Sequence, residues 1–239
     1  MSAPVALVTG GTRGIGQAIA ARLAADGYAV AIAGRTAPAA LASGQHFLPL
    51  DVADPASVQA CFSAIRERFG RLDALVNNAG LAGDDGLDPD DHAAWHAIVA
   101  TNLHGAYYCA KAALPLLPDG TGRIVTIASV LGLRGVPDQV AYVAAKHGVV
   151  GLTRALALAV AARGVTVNAV CPGWVDTEMA AGRFAALGIG RAEAAAGMPT
   201  GRIVMPEEVA DLVAFLLRPG SGSLTGLALP IDGGSLASA

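Results

Sequence analysis

A glycine-rich turn between an apolar run and a helical pattern constrains the fold of this chain most. Val5–Val8 is a short apolar run, and the motif Gly10-x-x-x-Gly14-Ile15-Gly16 follows it directly. Glycines let a backbone approach a pyrophosphate closely, and the following helix N-terminus supplies amide donors and the positive end of its dipole. The strand–turn–helix order predicts a nucleotide site. The alternative is a tight turn that serves only helix packing.

The same alternation of short apolar runs and helical patterns continues along the chain. Further strands are predicted at Ala29–Ala33, Phe47–Leu50, Leu72–Val76, Ile124–Ile127, Val165–Val170 and Leu227–Ile231. Helices are predicted from Pro55 to Gly70, from Pro89 to about Leu114, around Tyr142 to about Ala162, and from Pro206 to Arg218, with an irregular stretch over 177–205 that holds at least one short helix. Uniformly apolar strands between helices predict an α/β fold with a parallel sheet covered on both faces. No repeat or composition break divides residues 1–239, so one domain is expected.

Composition narrows the classes of partner. The chain is 54% hydrophobic and only 15% charged, which predicts surface committed to another subunit, although abundant alanine contributes to the count. A net charge of −3 predicts no general attraction to nucleic acid or to an anionic membrane. The apolar helix Val149–Ala162 is shorter than a membrane span and contains Arg154, so no membrane crossing is expected.

The cysteines and histidines predict neither disulfides nor a metal site. Three cysteines lie in or beside apolar segments without Cys-x-x-Cys spacing: Cys61, Cys109 and Cys171. Buried free thiols in a reducing compartment, the cytoplasm, are the expected reading. His92 and His96 form an i,i+4 pair, but no third ligand accompanies them. A strand pattern that begins at Val5 predicts that no signal peptide is present.

Two arginines bear on the choice of dinucleotide. An NAD site favours an acid at the end of the second strand, but Gly34-Arg35-Thr36 stands there and Arg13 lies in the glycine turn. Guanidinium groups suit a ribose 2′-phosphate. The pattern favours NADP(H) over NAD(H), and the alternative is two solvated surface arginines.

Two further strand ends carry polar residues. Asp51-Val52 could hold the amino group and ring of an adenine; the alternative role of Asp51 as a helix cap is better filled by Asp54. The run Asn77-Asn78-Ala79-Gly80 could brace neighbouring strands or bring its backbone to the cofactor, and both readings stay open.

A serine, a tyrosine and a lysine form the candidate reacting group. Ser129 ends the apolar run Ile124–Ala128, where its hydroxyl could point at whatever Tyr142 protonates. Tyr142 and Lys146 are at i and i+4, so on a helix they share one face. A neighbouring ammonium favours the phenolate and lowers the pKa of a tyrosine. The alternative is an exposed aromatic and a solvated lysine.

Asn102 stands in the middle of an otherwise apolar helix, where asparagine is unfavourable. One explanation is a helix distortion that frees a backbone carbonyl for a water near Lys146. The alternative is a satisfied buried amide.

Together these motifs, in this order and spacing, resemble the short-chain dehydrogenase/reductase family in its classical form, over nearly all 239 residues. The run from Val167 to Thr177 and the basic pair Arg13 and Arg35 are most similar to 3-oxoacyl thioester reductases and polyketide-type ketoreductases. The resemblance implies a single Rossmann-type, doubly wound domain with a seven-stranded parallel sheet. It also implies NADPH-dependent reduction of a 3-oxoacyl thioester or related small ketone.

The resemblance further implies residue roles. Tyr142 would be the general acid, Ser129 would orient the carbonyl, and Lys146 would lower the pKa of Tyr142 and bind the nicotinamide ribose. Asn102 would hold a water of a proton relay. The implied cofactor residues, besides Tyr142 and Lys146, are Gly10, Thr12, Arg13, Gly14, Ile15, Gly16, Arg35, Asp51, Val52, Asn78, Ala79, Gly80, Pro172, Gly173, Val175 and Thr177.

Substrate and partners are less constrained. Relatives that use an acyl carrier protein hold it with two bases; Arg163 matches one position, but no base stands around Gly120. The pattern therefore leaves coenzyme A thioesters and free ketones open. Residues 178–200 are expected to cover an apolar or aromatic substrate. Oxidation of a secondary alcohol and a non-catalytic nucleotide-binding role are the alternatives.

Assembly is predicted from one helix. The run Gly148–Ala162 carries almost no charge around its circumference, which indicates burial on most faces. One sheet cannot cover all of it, so a homotetramer is expected. The alternative is a helix buried within its own core.

Overall fold

A seven-stranded parallel sheet forms the centre of the molecule in a computed structural model that describes residues 3–83, 87 and 92–238. The strands are β1 (Val5–Thr9), β2 (Ala29–Gly34), β3 (Gln45–Pro49), β4 (Ala74–Asn77), β5 (Arg123–Ile127), β6 (Thr166–Pro172) and β7 (Ala228–Ile231). Their order is β3-β2-β1-β4-β5-β6-β7, and every pair is parallel. The chain reverses its direction of winding between β1 and β4, which is where such sheets open a ligand cleft.

The helices connect successive strands. In the described residues they are α1 (Gly14–Ala25), α2 (Pro55–Phe69), α3 (Ala93–Val99), α4 (Gly105–Ala113), α5 (Val140–Val160), α6 (Glu178–Leu187), α7 (Arg191–Ala196) and α8 (Pro206–Leu217). A π-helical turn, Ala100–His104, joins α3 to α4. This arrangement confirms the predicted doubly wound α/β fold.

Alternate residues of each strand face two separate cores. Val8, Ile32 and Val76 point to the side covered by α1 and α8. Leu7 and Leu75, their neighbours, point to the side covered by α2, α4 and α5. Because both faces are buried, the strands need no polar alternation, and this explains their uniformly apolar sequences.

The ends of α2 follow from local chemistry. Pro55 occupies the first turn, and the Asp54 carboxylate accepts hydrogen bonds from the amides of Ala56 (3.0 Å) and Ser57 (3.2 Å). Gly70 ends the helix with φ of +72°, a left-handed conformation that glycine adopts without steric cost. The predicted cap at Asp54 is confirmed.

Several predicted boundaries differ from the structure. β3 ends at Pro49, so Leu50 lies beyond it. β4 begins at Ala74 because the amide of Leu72 instead donates to Leu116 O in the loop after α4 (3.2 Å). The predicted helix start at Pro89 lies outside the described residues.

Helix α5 is longer than its apolar stretch suggested. Together with the short 3₁₀ turn after it, Val140–Arg163 is 24 residues long, and by length and composition it could cross a membrane. The helix is longer than the apolar run Val149–Ala162, because that run is only the part of the predicted helix that follows Tyr142 and Lys146. One face of α5 packs on β6 and buries Lys146, which assigns this helix to the fold itself.

Candidate active site

Three glycines of the turn, Gly10, Gly14 and Gly16, occupy positions where another residue would clash or be strained. Gly10 and Gly14 have φ of +63° and +53°, respectively. A Cβ added to Gly10 would lie 2.9 Å from Ala79 Cα, and one added to Gly16 would overlap the Gly10 carbonyl oxygen. The turn is thus packed tightly against the end of β4, and glycine is required at these positions.

The N-terminus of α1 is open to an anion. Arg13 is the capping residue, yet its side chain makes no capping hydrogen bond, and the first turn contains no acid. Gly14 and Ile15 begin the helix, so their amides belong to the group that no carbonyl of the helix satisfies. A phosphate fits this position chemically.

The predicted basic pair flanks this turn. Arg35 directly follows β2 and is exposed, and no hydrogen bond or ion pair is found for it in the described part of the chain. Arg13 is also exposed and approaches Glu178 of α6 at 3.5 Å. Thr12 lies near the end of β2, because a Cβ on Gly34 would be 3.7 Å from its methyl group. The residues present fit a nucleotide with a 2′-phosphate.

Asn78 braces the glycine turn. Its side-chain amide donates to the carbonyls of Thr9 (2.9 Å) and Gly10 (3.0 Å). The hydroxyl of Thr9 accepts in return from the amides of Asn78 and Ala79, both at 3.0 Å. This ties β1 to the end of β4, so the side chain of Asn78 is structural, while Ala79 and Gly80 contribute backbone to the cleft.

Asp51 and Val52 lie at the end of the third strand with different environments. Asp51 is exposed, and one of its carboxylate oxygens accepts from the Ala53 amide at 3.0 Å. Val52 is buried, and a Cβ on Gly105 would lie only 2.7 Å from its methyl group. The aspartate thus remains available to a ligand, while the valine is mainly packed under the start of α4.

Asn102 sits inside the π turn and is buried. Its amide pairs with the backbone of Leu81, accepting from Leu81 N at 2.9 Å and donating to Leu81 O at 2.7 Å. The predicted helix distortion is therefore present, and the buried side chain is also satisfied. Because the amide is fully engaged with Leu81, a relay through this residue would use a backbone carbonyl of the turn.

Lys146 reaches from α5 to the sheet. Its ammonium donates to the carbonyl of Ile127 at 2.7 Å, and its side chain is buried. A Cβ on Gly80 would lie 2.8 Å from Asn102 Oδ1 and 3.9 Å from Lys146 Nζ, so the three residues border one space. Burial lowers the pKa of Lys146 to about 8.

Hydrogen bonding by the Ser129 side chain offsets part of the rise that burial causes in the pKa of Tyr142, so the two side chains face each other. Ser129 follows β5 and caps the short helical turn Val130–Gly132, where its Oγ accepts from the Leu131 amide at 3.1 Å. Tyr142 lies in the first turn of α5. The fold therefore brings the predicted serine, tyrosine and lysine together.

The pKa of Tyr142 differs from the expectation. Burial raises it to about 12, and the hydrogen bond with Ser129 offsets only part of that effect. The ammonium of Lys146 lies 5.5 Å from the Tyr142 ring centroid and donates to Ile127, so burial outweighs it. The predicted lowering by Lys146 is not seen, and the phenol is protonated at neutral pH, the form that can donate a proton.

The loop after β6 forms the remaining border. Pro172 ends β6, and Gly173 bonds to Ile231 of β7, where a Cβ would meet Asp232 Cα at 3.0 Å. Val175 is buried, and Thr177 caps α6 by accepting from the Ala180 amide at 3.3 Å. The methyl group of Thr177 would lie 3.4 Å from a Cβ on Gly14. This loop thus passes directly over the glycine turn.

Arg163 has a structural role. Its guanidinium donates to Asp119 (2.8 Å) and to the carbonyls of Leu114 (3.0 Å) and Leu117 (2.7 Å). These contacts hold the loop that follows α4 and use all three nitrogens. The arginine is therefore committed within its own chain, which weighs against the acyl-carrier contact that its position implied.

Sequence reasoning missed two features of the site. No role was predicted for the side chain of Thr9, whose hydroxyl accepts hydrogen bonds from the amides of Asn78 and Ala79 after β4. The ion pair between Asp138 and Arg183 was not anticipated. Arg183 is one of two arginines in the stretch 178–200, and nothing in the sequence indicated its partner.

The buried lysine gives a stability prediction. Since the pKa of Lys146 falls from 10.5 to about 8, the folded state carries the cost of a buried charge below pH 8, and this cost disappears as the pH rises toward 10.5. Relative to Lys146→Met, the wild-type chain should gain about 2 kcal/mol between pH 7 and pH 10. Urea unfolding at both pH values measures this. Lys111→Met, at an exposed lysine, is the control, and an equal gap between wild type and Lys146→Met at both pH values would contradict the argument.

Known proteins show similarity to this chain in sequence and structure over nearly its whole length. A family model described as Enoyl-(Acyl carrier protein) reductase matches residues 10–235. The 3-oxoacyl-(acyl-carrier-protein) reductase FabG of Escherichia coli strain K12 is 40% identical over 237 residues, which cover 96% of each protein. The ligand-free aldohexose dehydrogenase of Thermoplasma acidophilum superposes with a TM-score of 0.93 at 33% identity, covering 99% of this chain and 95% of that one. A variant of actinorhodin polyketide ketoreductase with NADPH gives 0.89 at 38% identity, covering 98% and 97%.

Proposed function

Because this chain belongs to the short-chain dehydrogenase/reductase family, we propose that it is an NADPH-dependent reductase that converts a ketone to a secondary alcohol. It is an oxidoreductase that acts on CH–OH and C=O groups. The observation that carries the proposal is the cluster of the buried Ser129 and Lys146 with the half-buried Tyr142 beside the glycine turn. Residues 1–239 act as one catalytic domain in the cytoplasm, where three buried thiols stay reduced.

The dinucleotide, when bound, supplies the hydride. Tyr142, protonated because its pKa is about 12, gives its proton to the substrate oxygen as that oxygen gains negative charge. Ser129 holds the same oxygen by a second hydrogen bond and fixes the orientation of the carbonyl. Lys146, whose ammonium lies 5.5 Å from the Tyr142 ring centroid, binds the ribose of the dinucleotide. A backbone carbonyl of the π turn holds a water, and this water returns a proton to Tyr142.

A panel of small ketones and 3-oxoacyl coenzyme A thioesters, followed by NADPH absorbance, tests the reaction. Names of similar proteins include a 3-oxoacyl reductase and a polyketide ketoreductase, so these two classes of carbonyl come first. At least one compound should be reduced at a rate that depends on enzyme concentration. No oxidation of NADPH with any of them would contradict the proposal.

Arg35 supports the choice of NADP(H). It is exposed at the end of β2, at the place where an NAD site carries an acid. A 2′-phosphate there would gain charge-assisted hydrogen bonds of about 1.5–3 kcal/mol. Arg13, on the other side of the turn, adds positive charge.

Arg35→Asp should reverse this preference. The ratio of NADPH to NADH affinity should fall by about 10- to 100-fold, because a phosphate loses a cation and meets an anion. Fluorescence titration of both cofactors measures the ratio. Arg66→Asp, at an exposed arginine near the end of α2, is the matched control and should leave the ratio unchanged. An unchanged ratio of NADPH to NADH affinity in Arg35→Asp would show that Arg35 does not bind the 2′-phosphate.

Oxidation of a secondary alcohol is the second candidate. One of the most similar structures is an aldohexose dehydrogenase, and the same tyrosine can accept a proton from an alcohol when the reaction runs backward. Rates measured in both directions with both cofactors separate the two candidates. Faster oxidation with NAD than reduction with NADPH would favour the dehydrogenase.

Two apolar faces support the homotetramer. On α5, the exposed small and apolar residues Gly151, Ala155, Leu158 and Ala159 repeat at helical spacing, with Arg154 as the one exposed charge among them, and Leu158 is 82% exposed. A second candidate face includes β7, which is an edge strand, and α8, where Phe215 is 45% exposed. Two different self-complementary interfaces generate a tetramer with three twofold axes.

The assembly prediction concerns Leu158. Light scattering of the wild-type protein should give about 95 kDa, four times the 23.8 kDa of one chain. Leu158→Arg should give a smaller species, because it replaces the exposed leucine of this face by a second positive charge one turn from Arg154. Leu187→Arg, at a 42% exposed leucine of α6, serves as the control and should leave the mass unchanged. A wild-type monomer at micromolar concentration would contradict the tetramer.

A further inference from the structure

Three arginine–carboxylate pairs hold the segment 178–200, here called the lid, against the rest of the molecule. They are Arg13–Glu178, Arg191–Asp176 and Arg183–Asp138. The first two are exposed, and exposed ion pairs contribute little to stability. The third is different, because the Arg183 side chain is only 12% exposed and that of Asp138 is 41% exposed.

The Asp138–Arg183 ion pair crosses from the lid to the catalytic segment. Asp138 lies between Ser129 and Tyr142 along the chain, four residues before the tyrosine. Arg183 lies on α6, the first helix of the lid. Next to it, Phe184 packs edge-on against Trp174, with ring centroids 4.9 Å apart. The lid is thus attached on one side to the loop after β6 and on the other side to the loop that leads into α5.

The Asp138–Arg183 ion pair has little net stabilisation, so a substrate can break it at low cost. The Nε of Arg183 is buried and has no hydrogen-bond partner in the described part of the chain. An unsatisfied buried donor is unfavourable, and desolvation of the Arg183 guanidinium offsets part of its attraction to Asp138. Gly188, with φ of +68° at the end of α6, and Gly190 supply hinges between the two lid helices.

We propose that Asp138 and Arg183 determine substrate size: their ion pair forms the outer wall of the substrate cleft and favours compact ketones over chain-extended acyl thioesters. A compact ketone fits between Tyr142 and the closed lid. A 3-oxoacyl thioester with a long carrier group must leave the cleft where the pair closes it, so that substrate has to break the pair first. This inference rests on the proposed ketone reduction and names the class of ketone.

Substrate ratios test the proposal. Arg183→Met and Asp138→Asn should each raise kcat/KM for 3-oxoacyl coenzyme A thioesters, relative to kcat/KM for a small cyclic ketone, by about tenfold. A double variant with the two charges exchanged, Asp138→Arg with Arg183→Asp, should move the ratio back toward the wild-type value. Arg191→Met removes another lid pair, one that does not involve Asp138, and it should not change the ratio. An unchanged ratio in both single variants, or an equal change in Arg191→Met, would overturn the proposal.

A fluorescence measurement tests the closure without using activity. In a Trp95→Phe background, Trp174 is the remaining tryptophan, and it packs on the lid through Phe184. Arg183→Met and Asp138→Asn should increase acrylamide quenching of Trp174, while Arg191→Met should not. Quenching that stays at the wild-type level would overturn the closed wall, even if no substrate were reduced. Failure of wild type to reduce any ketone, with quenching as expected, would contradict the proposed function instead.

Discussion

Tyr142→Phe should lower kcat/KM for ketone reduction by about 10²- to 10⁴-fold. The change removes one oxygen and keeps the ring, so the packing of Tyr142 against Ala141 and Ala145 in its buried cluster is retained. What is lost is the phenolic proton donor, which faces the side chain of Ser129. Initial rates with a fixed ketone and NADPH measure the effect.

The control separates chemistry from binding. NADPH affinity should stay at the wild-type level in Tyr142→Phe, because Lys146 keeps its hydrogen bond to Ile127 and the glycine turn is untouched. Tyr107→Phe, at an exposed tyrosine of α4, should leave kcat/KM unchanged. Near-normal turnover of Tyr142→Phe with intact cofactor binding would exclude this residue as the general acid.

Much of the fold could be predicted because its signals are local. The uniformly apolar runs predict the seven strands. Capping residues, prolines and glycines predict most helix ends, and at α2 these are Asp54, Pro55 and Gly70. The candidate site followed for the same reason: parallel strands end at one edge, so residues just after strands converge there. Ser129, Asn78 and Arg35 all occupy such positions.

The misses have a common physical cause, which is that they depend on tertiary contacts. The pKa of Tyr142 is set by burial, and the sequence spacing of Tyr142 and Lys146 says nothing about burial. Arg163 matches a position that holds an acyl carrier protein in some relatives. Its guanidinium instead donates to the carbonyls of Leu114 and Leu117, which are distant in sequence. The partner of Arg183 is 45 residues away.

Gly16→Ala should damage both cofactor binding and stability. The added methyl group would overlap the Gly10 carbonyl oxygen and the side-chain amide of Asn78. Neither can move freely, because these two groups are hydrogen-bonded to each other at 3.0 Å and Asn78 also bonds to Thr9. Overpacking of this kind costs about 1–3 kcal/mol of folding free energy. Urea unfolding and NADPH titration measure the two effects separately.

The comparison of the two effects decides what the glycine turn does. Gly182→Ala is the matched control, since Gly182 is helical and a Cβ there would meet nothing within 4 Å; it should keep or raise stability. If Gly16→Ala loses stability but binds NADPH like wild type, the turn serves only helix packing. A pyrophosphate cradle requires the backbone of Gly14 to Gly16 to keep its path at the start of α1, so affinity must fall by at least about tenfold, even in the fraction that remains folded. Such a loss of NADPH affinity would show that the glycine turn, which constrains the fold, also binds the cofactor.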